Sequence, residues 1–199
     1  MTPEAAGAAA ARPRVEGDRE QEILDAALEV LADVGYDRLT MDAVAHRAKA
    51  SKATLYRRWN SKAKLVVEAL ARTKSVPLVP DTGELRSDLL TAFCGMGGLT
   101  EHETTATLGA VMTAVSTDRE FAREFRAQVV EPKASVSRQI FERARERGEL
   151  RDDLDLDIVV PALAGIVLHQ VFIFGEQPDA QLIQRAVDQI ILPAVRPQV

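Results

Sequence analysis

The amino-acid sequence predicts an all-α fold of about nine helices arranged in two blocks. Apolar residues recur at helical spacing from Asp18 almost to the carboxyl terminus, and no segment shows the alternation typical of a half-buried strand. Pro77 and Pro80 interrupt this periodicity, so we expect a linker there. A chain of 199 residues is long enough for one large or two small domains with a sizeable core.

We divide the chain into a tail, residues 1–17, and two helical domains, residues 18–76 and 77–199. The tail is rich in alanine and contains two prolines, so it offers no apolar face and is expected to be disordered. The first helix is expected to begin at an N-cap, Asp18, and to end at Gly35. Its apolar stripe consists of Ile23, Leu24, Ala27, Leu28, Leu31 and Val34.

Two short helices joined by a tight turn are predicted next, with Thr40 and Ser51 as their N-caps. This pattern over residues 40–59 is typical of a helix-turn-helix, which completes a three-helix domain. Small apolar residues allow the two helices to cross closely, and Leu55 is expected to face inward. Ser61 is expected to cap a fourth helix that ends this block.

The charge is distributed unevenly along the chain. The formal net charge of −5, taken alone, argues against a nucleic-acid partner, because binding to phosphates requires basic surface. The segment Arg38–Lys64, however, contains eight basic residues and one acidic residue, Asp42. Residues 1–74 carry a net charge of +2 and residues 75–199 carry −7. The basic charge therefore lies on the predicted helix-turn-helix, which favours DNA as its partner.

The segment Ile23–Leu70 resembles the DNA-binding domain of the TetR family of transcriptional regulators. The resemblance rests on Ile23, Ala26, Ala27, Leu31, Gly35, Tyr36, Leu39, Thr40, Val44, Ala45, Ala48, Ser51, Lys52, Thr54, Leu55, Tyr56, Trp59, Ser61 and Lys62. The rest of the chain matches the family only in the order and length of its helices. Lys49 and Ala53 depart from the pattern, because the family commonly has glycine at both positions. A lysine in the left-handed conformation costs about 1 kcal/mol relative to glycine, which a nearby phosphate can offset.

The resemblance implies a role for each matching residue. Thr40 and Tyr56 are expected to bond phosphates, and Lys62 is expected to add charge where the dipole of the fourth helix favours an anion. Ser51 is expected to be both a helix cap and a DNA neighbour. The residues expected to face bases or nearby phosphates are Lys49, Lys52, Ala53, Thr54 and Arg57. Trp59 is expected to pack the domain.

Helical periodicity predicts five helices in the second block, at about Glu84–Cys94, Glu103–Val115, Asp118–Arg147, Asp155–Phe174 and Asp179–Leu192. Pro132 is expected to kink the third of these because it lacks a hydrogen-bond donor. The fourth is apolar on nearly all faces, so every face must be shielded from water; this domain can cover one side, and another subunit would cover the other. The last two helices resemble the family's contribution to a four-helix dimer interface. The residues expected there are Val159, Leu163, Ile166, Val167, Leu182, Ala186 and Ile190; the alternative is that both helices are monomer core.

Family members commonly bind a small molecule among the central helices, which implies a ligand pocket here. The candidate lining residues are Phe93, Met96, Met112, Phe125, His169 and Phe172. Each of these residues is also compatible with ordinary core, and His169 equally with a subunit interface. The expected ligand is largely apolar, and its identity is open.

Other classes of protein fit the sequence poorly. Catalysis requires a nucleophile and a base, yet Cys94 and the three histidines (His46, His102 and His169) lie in no recognisable catalytic pattern. No zinc-type spacing exists, and neither a metal nor a cofactor is expected. The apolar run from Ile158 to Gly175 is shorter than the roughly 20 residues of a membrane span and is expected to be a buried helix. Because no signal-peptide pattern is present, a cytoplasmic location is expected.

The sequence thus favours a dimeric DNA-binding regulator, most often a repressor in this family, released by a small ligand. Two alternatives remain open at this point: an activator without a small-molecule inducer, and a dimeric helical binding module that does not use DNA. The basic segment Arg38–Lys64 opposes the second alternative.

Overall fold

The computed structural model of the protein describes residues 16–72, 78–95, 105–176 and 178–197. The first block contains α1 (Glu16–Arg38), α2 (Met41–Arg47), α3 (Lys52–Arg58) and α4 (Lys62–Arg72). The second contains α5 (Leu85–Gly95), α6 (Thr105–Thr117), α7 (Arg119–Phe125), α8 (Glu131–Glu146), α9 (Leu156–His169), α10 (Ala180–Ala186) and α11 (Leu192–Val195). The described residues form helices and connecting turns without strands, so the predicted all-α fold is confirmed.

Three π-helical turns extend or join these helices. Arg126–Val130 joins α7 to α8, Val187–Ile191 joins α10 to α11, and Gln170–Phe174 extends α9. Counted as continuous rods, the described residues therefore form nine helices. The two joining turns directly precede the helices that have Pro132 and Pro193 in their first two positions. Since proline donates no hydrogen bond and its ring crowds the preceding turn, a wider π turn lets the rod continue past it.

The first helix begins earlier than the sequence predicts. It starts at Glu16, so Asp18 lies inside it, and the prediction that Asp18 is the N-cap is wrong. The helical geometry breaks at Gly35, whose φ of 75° and ψ of 168° favour a residue without a Cβ atom. The predicted end of the first helix is confirmed at this residue, and a short turn leads on to Arg38.

Two clusters of buried apolar residues form the core. The first is built by α1–α4, and its centre includes the fully buried side chains of Leu24, Leu31, Leu55 and Val66. Apolar residues of α6, of α7 and of the π turn after it complete this cluster: Val111, Ala114, Phe121 and Val129. The amino-terminal helices therefore pack directly on the second block, across the predicted boundary between residues 76 and 77.

The second cluster is built by α5 and α8–α11 and contains one buried acidic side chain, Asp88. Its carboxylate is 0% exposed and accepts hydrogen bonds from the backbone N–H of Thr82 at 2.6 Å and from its hydroxyl at 2.8 Å. Nη2 of Arg147 lies 3.3 Å from the other carboxylate oxygen. Asp88 thus ties the chain before α5 to the end of α8.

Replacing Asp88 by alanine is expected to lower the free energy of unfolding by about 2–3 kcal/mol, because the three hydrogen bonds that this fully buried carboxylate accepts from Thr82 and Arg147 are lost. Urea denaturation followed by circular dichroism measures this change. Asp81→Ala is the matched control: its carboxylate is exposed and lies 3.7 Å from Arg143 and 3.9 Å from Arg147. An effect below about 0.5 kcal/mol is expected for the control. Equal effects of the two substitutions would contradict this role of Asp88.

One rod of the described residues, Leu156–Phe174, is long and apolar enough to span a membrane by length and composition. Its 19 residues have a mean hydropathy of 2.0. Along one side it packs into the second core through Leu163 and Val167, which is how a core helix of a folded domain also behaves. The predicted helix at this place is confirmed; one side of it is buried within the chain, and its opposite side is exposed in the single chain.

Candidate nucleic-acid interface

The turn between α2 and α3 is held by backbone hydrogen bonds around Lys49. The N–H of Lys49 donates to the carbonyl of His46 at 3.1 Å, and that of Ala50 donates to Ala45 at 2.8 Å. This pair of bonds is the Schellman arrangement, which places its C′ residue in the left-handed region. Lys49 has a φ of 50°, so the strain expected at this non-glycine position is present. Nη2 of Arg19 donates to the carbonyl of Lys49 at 2.7 Å and holds the turn against α1.

Side-chain caps set the start of each helix in this unit. The hydroxyl oxygen of Thr40 accepts from the N–H of Ala43 at 3.1 Å, and that of Ser51 accepts from Thr54 at 3.1 Å. Ser61 accepts from the N–H of Lys64 at 3.3 Å. The three predicted N-caps are confirmed, and each satisfies a backbone donor that the helix itself leaves free.

The structure brings most of the predicted DNA contacts onto one exposed unit. Seven of the predicted contacts are exposed on this unit: Thr40, Lys49, Ser51, Lys52, Ala53, Tyr56 and Arg57. Thr54 is half-buried, and its hydroxyl lies 2.8 Å from that of Ser51. Lys52 forms an ion pair with Asp42 at 2.6 Å. We call the seven exposed contacts together with Thr54 the basic face.

A polar network beneath α3 holds the basic face in place. Nε of Arg58 donates to Glu20 at 2.7 Å, and Nη2 of Arg58 lies 3.3 Å from Glu68. The indole N–H of Trp59 also donates to Glu68, at 2.7 Å, and the ring is buried. Trp59 therefore packs in the core of the first block, as predicted. These contacts fix the end of α3 to α1 and α4, a role for Arg58 that the sequence reading missed.

Lys62 does not lie with the basic face. Its side chain is half-buried, and Nζ donates to the carbonyl of Tyr36 at 3.0 Å and lies 4.2 Å from the centre of that ring. Its ammonium group is thus engaged within the protein, contrary to its expected role as a charge at the start of α4. The sequence offers no signal for this contact, because it depends on how α1 and α4 pack.

Tyr36 links the first block to the second. Its hydroxyl donates to Asp118 at 2.7 Å, and its ring lies edge-on to Phe121 with 4.7 Å between the ring centres. Burial and the hydrogen bond with Asp118 raise the pKa of the Tyr36 phenol above its ordinary value. The same hydrogen bond, together with bonds from the backbone N–H groups of Phe121 and Glu120, lowers the pKa of Asp118 below its ordinary value of 3.8.

Tyr36→Phe is expected to lower the free energy of unfolding by about 1.5 kcal/mol at pH 7, because the Asp118 carboxylate loses a charge-assisted hydrogen bond. The folded pKa of Asp118 is lowered, so this contribution is present above its unfolded pKa and is lost as pH falls through the folded pKa. The difference between variant and wild type should therefore shrink below about pH 4. Urea titrations from pH 7 to pH 3 measure it, with the exposed Tyr56→Phe as control. A difference that does not change with pH would contradict the assignment.

Comparison with known proteins gives this unit a context. The family model described as "Bacterial regulatory proteins, tetR family" matches residues 23–69, and the one described as "Tetracyclin repressor-like, C-terminal domain" matches residues 79–190. The chain belongs to the TetR family. The resemblance inferred from the helix-turn-helix residues is thus confirmed, and it extends over the second block. This TetR-family member is a helix-turn-helix transcriptional regulator.

Relatives of this TetR-family chain support the same conclusion. It is 36% identical over 182 residues to the "DNA-binding transcriptional repressor TetR" of Mycobacteroides abscessus, covering 90% of this chain and 95% of that protein. It is 33% identical over 168 residues to the "Uncharacterized HTH-type transcriptional regulator YdeS" of Bacillus subtilis, covering 83% of this chain and 84% of that protein. A solved TetR regulator from Agrobacterium tumefaciens has the same fold, with a TM-score of 0.70 and 19% identity over 91% of this chain and 96% of that one.

The second block of this TetR-family regulator encloses a cavity of about 460 Å³, which we call the central cavity. Three of the six predicted pocket residues line it: Phe93, Met112 and Phe125. His169 and Phe172 lie outside its lining, and the exposed His169 ring instead packs against Phe174 with 5.3 Å between ring centres. Met96 lies outside the described residues. The structure therefore does not bring His169 or Phe172 to this cavity, and their pocket role stays a prediction.

The predicted dimer contacts divide into two groups. Leu163, Val167 and Ala186 are buried in the second core of a single chain, so they cannot reach a partner, and this part of the prediction is wrong. Val159, Ile166 and Leu182 are half-buried, and Ile190 is exposed. The sequence reading missed Ile158, Ile173 and Phe174, whose exposed side chains lie on the α9 rod. We call these three residues and Ile190 the exposed apolar face.

The sequence reading also missed the polar residues of the central cavity, which are Lys133, Ser137, Arg138 and Asp157. Lys133 and Ser137 lie one turn apart on α8 and share a face of that helix, and Arg138 directly follows Ser137. Polar residues at this spacing within a largely apolar stripe are a signal that helical periodicity analysis could have found.

Proposed function

We propose that this regulator binds operator DNA as a homodimer and that it acts as a repressor that a small molecule releases. The observation that carries the proposal is the basic face, where Lys49 precedes α3, Lys52 and Arg57 lie on α3, all three are exposed, and Asp42 is the one acidic residue of the segment Arg38–Lys64. Side chains of a helix that lies in the major groove reach base edges, while flanking cations bond phosphates. A cytoplasmic location fits this function.

The exposed apolar face supports dimerisation. Ile173 is 68% exposed and Ile190 51% exposed, and Ile173 lies on a rod apolar enough to need burial on all sides. A second copy that packs the same face against its own removes these side chains from water. Two recognition helices related by two-fold symmetry then read two half-sites about one turn of DNA, roughly 34 Å, apart.

The central cavity supports release by a small molecule. Its volume of about 460 Å³ lies within the range of roughly 300–1,000 Å³ that small-molecule sites occupy. Its lining includes Val111 and Val129, which also belong to the core that α1–α4 form. A ligand in the cavity therefore contacts residues on which the DNA-binding helices pack. Its binding favours dimers in which the distance between the two α3 helices does not match the two half-sites on DNA.

A footprint on the intergenic DNA beside the gene tests the proposal. We expect protection of two half-sites related by two-fold symmetry, with specific affinity at least about 1,000-fold above that for unrelated DNA at the same salt concentration. Equal affinity for both DNAs would leave only non-specific charge attraction and would contradict the proposal. A reporter gene behind the same DNA separates the two modes of regulation, since deletion of the regulator raises expression for a repressor and lowers it for an activator.

A further inference from the structure

A second pocket, of about 410 Å³, lies where the end of α3 meets α4 and the π turn after α7. We call it the polar pocket. Six of its lining residues have charged or amide side chains: Arg57, Arg58, Asn60, Lys64, Glu68 and Gln128. Three of these are cationic and one is acidic, so the charged part of the lining has a net charge of +2. The polar pocket therefore favours an anion.

One cation and the acid of this lining neutralise each other. Nη2 of Arg58 lies 3.3 Å from Glu68, which also accepts from the indole N–H of Trp59 at 2.7 Å. The side chains of Arg57 and Lys64, in contrast, form no hydrogen bond and no ion pair within 4 Å among the residues that the structure describes. The excess positive charge of the polar pocket is therefore carried by two unpaired cations.

Glu124 is the acid that interacts with Lys64, and it is already bonded by other groups. A hydrogen bond from Arg123 at 3.2 Å, one from Gln128 at 3.1 Å and the charge of Lys64 lower the pKa of the Glu124 carboxyl below its ordinary value. The amide of Gln128 has two N–H groups, and one of them bonds Glu124. The other N–H remains for an acceptor in the polar pocket.

The position of Lys64 matters because α4 lacks the cation that was expected at its start. The ammonium group of Lys62 bonds the carbonyl of Tyr36 at 3.0 Å and is engaged within the protein. Lys64 lies two residues further along α4, is half-buried, and lines the polar pocket together with Arg57 of the basic face. The polar pocket thus continues the basic face from α3 to α4.

We propose, building on the DNA-binding function above, that the polar pocket binds one phosphate group of the operator backbone in each half-site. Arg57 and Lys64 supply the positive charge, and the amides of Asn60 and Gln128 donate to the phosphate oxygens. A phosphate group accepts several such bonds at once, and bonds between ionised groups are the stronger ones. Lys64 then takes the role that the resemblance assigns to Lys62, and a residue of the second block takes part in DNA binding.

The π turn that carries Gln128 also borders the central cavity. Val129 and Val130 of this five-residue turn line the central cavity, while Gln128 lines the polar pocket. One short turn thus forms part of both walls. A ligand that displaces this turn also displaces a donor to the phosphate, which connects the two sites without passing through the core of the first block.

The salt dependence of operator binding tests the phosphate contact. Lys64→Gln removes one cation from each half-site, so the slope of log affinity against log salt concentration should become shallower by about two in a dimer. Its affinity for operator DNA at 0.15 M salt should fall roughly 30-fold. Lys62→Gln is the matched control on the same helix, and we expect its slope to equal that of wild type, whatever the lost bond to Tyr36 does to affinity. Fluorescence anisotropy with the full chain measures both quantities.

A substitution in the second block tests the opposite wall of the polar pocket. Gln128→Glu places a carboxylate beside the phosphate and should weaken operator binding at least about tenfold, because like charges then face each other. Gln139→Glu is the matched control, since this exposed glutamine of α8 does not line the polar pocket. Its affinity should stay within about threefold of wild type. Circular dichroism verifies that both variants are folded.

Operators that carry a neutral methylphosphonate in place of one phosphate per half-site identify the bound group. At one position along the backbone the wild type should lose affinity, and Lys64→Gln should lose no more there, because the contact is already absent. If Lys64→Gln keeps its full effect at every position, the polar pocket holds a free phosphate ion or no anion, and the proposal is overturned.

An unchanged salt slope in Lys64→Gln, a slope change of the same size in Lys62→Gln, or equal effects of Gln128→Glu and Gln139→Glu would also overturn the proposal. Normal operator binding by every variant would disprove only the phosphate contact in the polar pocket. A wild-type protein that protects no operator DNA would instead disprove the DNA-binding function, and this contact with it.

Discussion

A variant with aspartate in place of both Ile173 and Ile190 is expected to be a monomer at micromolar concentration and to bind operator DNA about 10²–10⁴-fold more weakly than wild type. Both side chains are exposed in the single chain, so the substitutions leave the core of each protomer intact. In a two-fold interface they place four carboxylates in a desolvated apolar contact, which is strongly unfavourable. The loss of DNA affinity follows because each monomer engages one half-site without the benefit of its partner.

Light scattering measures the mass of the variant, and a mobility shift measures its affinity for DNA. Leu78→Asp is the matched control: Leu78 is also a highly exposed large apolar residue, but it lies before α5 and outside the exposed apolar face. We expect this control to remain dimeric and to bind DNA normally. A double variant that stays dimeric would place the subunit contact elsewhere on the molecule.

A second large effect is expected when Lys52 and Arg57 are both replaced by glutamine. A dimer then loses four cationic contacts, so the affinity for operator DNA should fall roughly 1,000-fold at 0.15 M salt. The slope of log affinity against log salt concentration should become shallower by about four, because fewer counterions are released. Both side chains are exposed on α3, and the free energy of unfolding should change by less than about 0.5 kcal/mol.

Arg47→Gln provides the control for the effect of charge alone. Arg47 belongs to the same helix-turn-helix, but its guanidinium bonds Glu29 at 3.0 Å and Asp33 at 2.7 Å, away from the basic face. We expect its affinity for DNA to remain within about threefold of wild type. A loss equal to that of the double variant would show that overall charge, rather than contact, governs binding. An unchanged salt slope in the double variant would remove Lys52 and Arg57 from the interface.

Much of the helix-turn-helix could be predicted because its determinants are local. The caps at Thr40, Ser51 and Ser61 act on backbone donors three residues away, and the turn at Lys49 depends on bonds spanning five residues or fewer. Asp18 shows the limit of such signals. It is a suitable cap residue, but α1 begins two residues earlier, at Glu16.

Helical periodicity identified the apolar rods correctly but not the direction in which their residues point. Leu163, Val167 and Ala186 were predicted at a subunit contact, yet they face the second core, while Ile158 and Ile173 point outward. A rod that is apolar on all sides carries no sequence signal that distinguishes a face covered by its own chain from a face covered by another. Only the packing of α9 against its neighbours makes that distinction.

The sequence by itself determined the all-α class, the order of the helices, the turn of the DNA-binding unit and the concentration of positive charge on Arg38–Lys64. The tertiary structure alone decided the long-range contacts. Tyr36 reaches Asp118, which is 82 residues away, and Lys62 turns from the expected DNA surface to the carbonyl of Tyr36. It also placed Ser137 and Arg138 beside a cavity. Local structure follows from nearest neighbours along the chain, whereas these contacts depend on how distant helices pack.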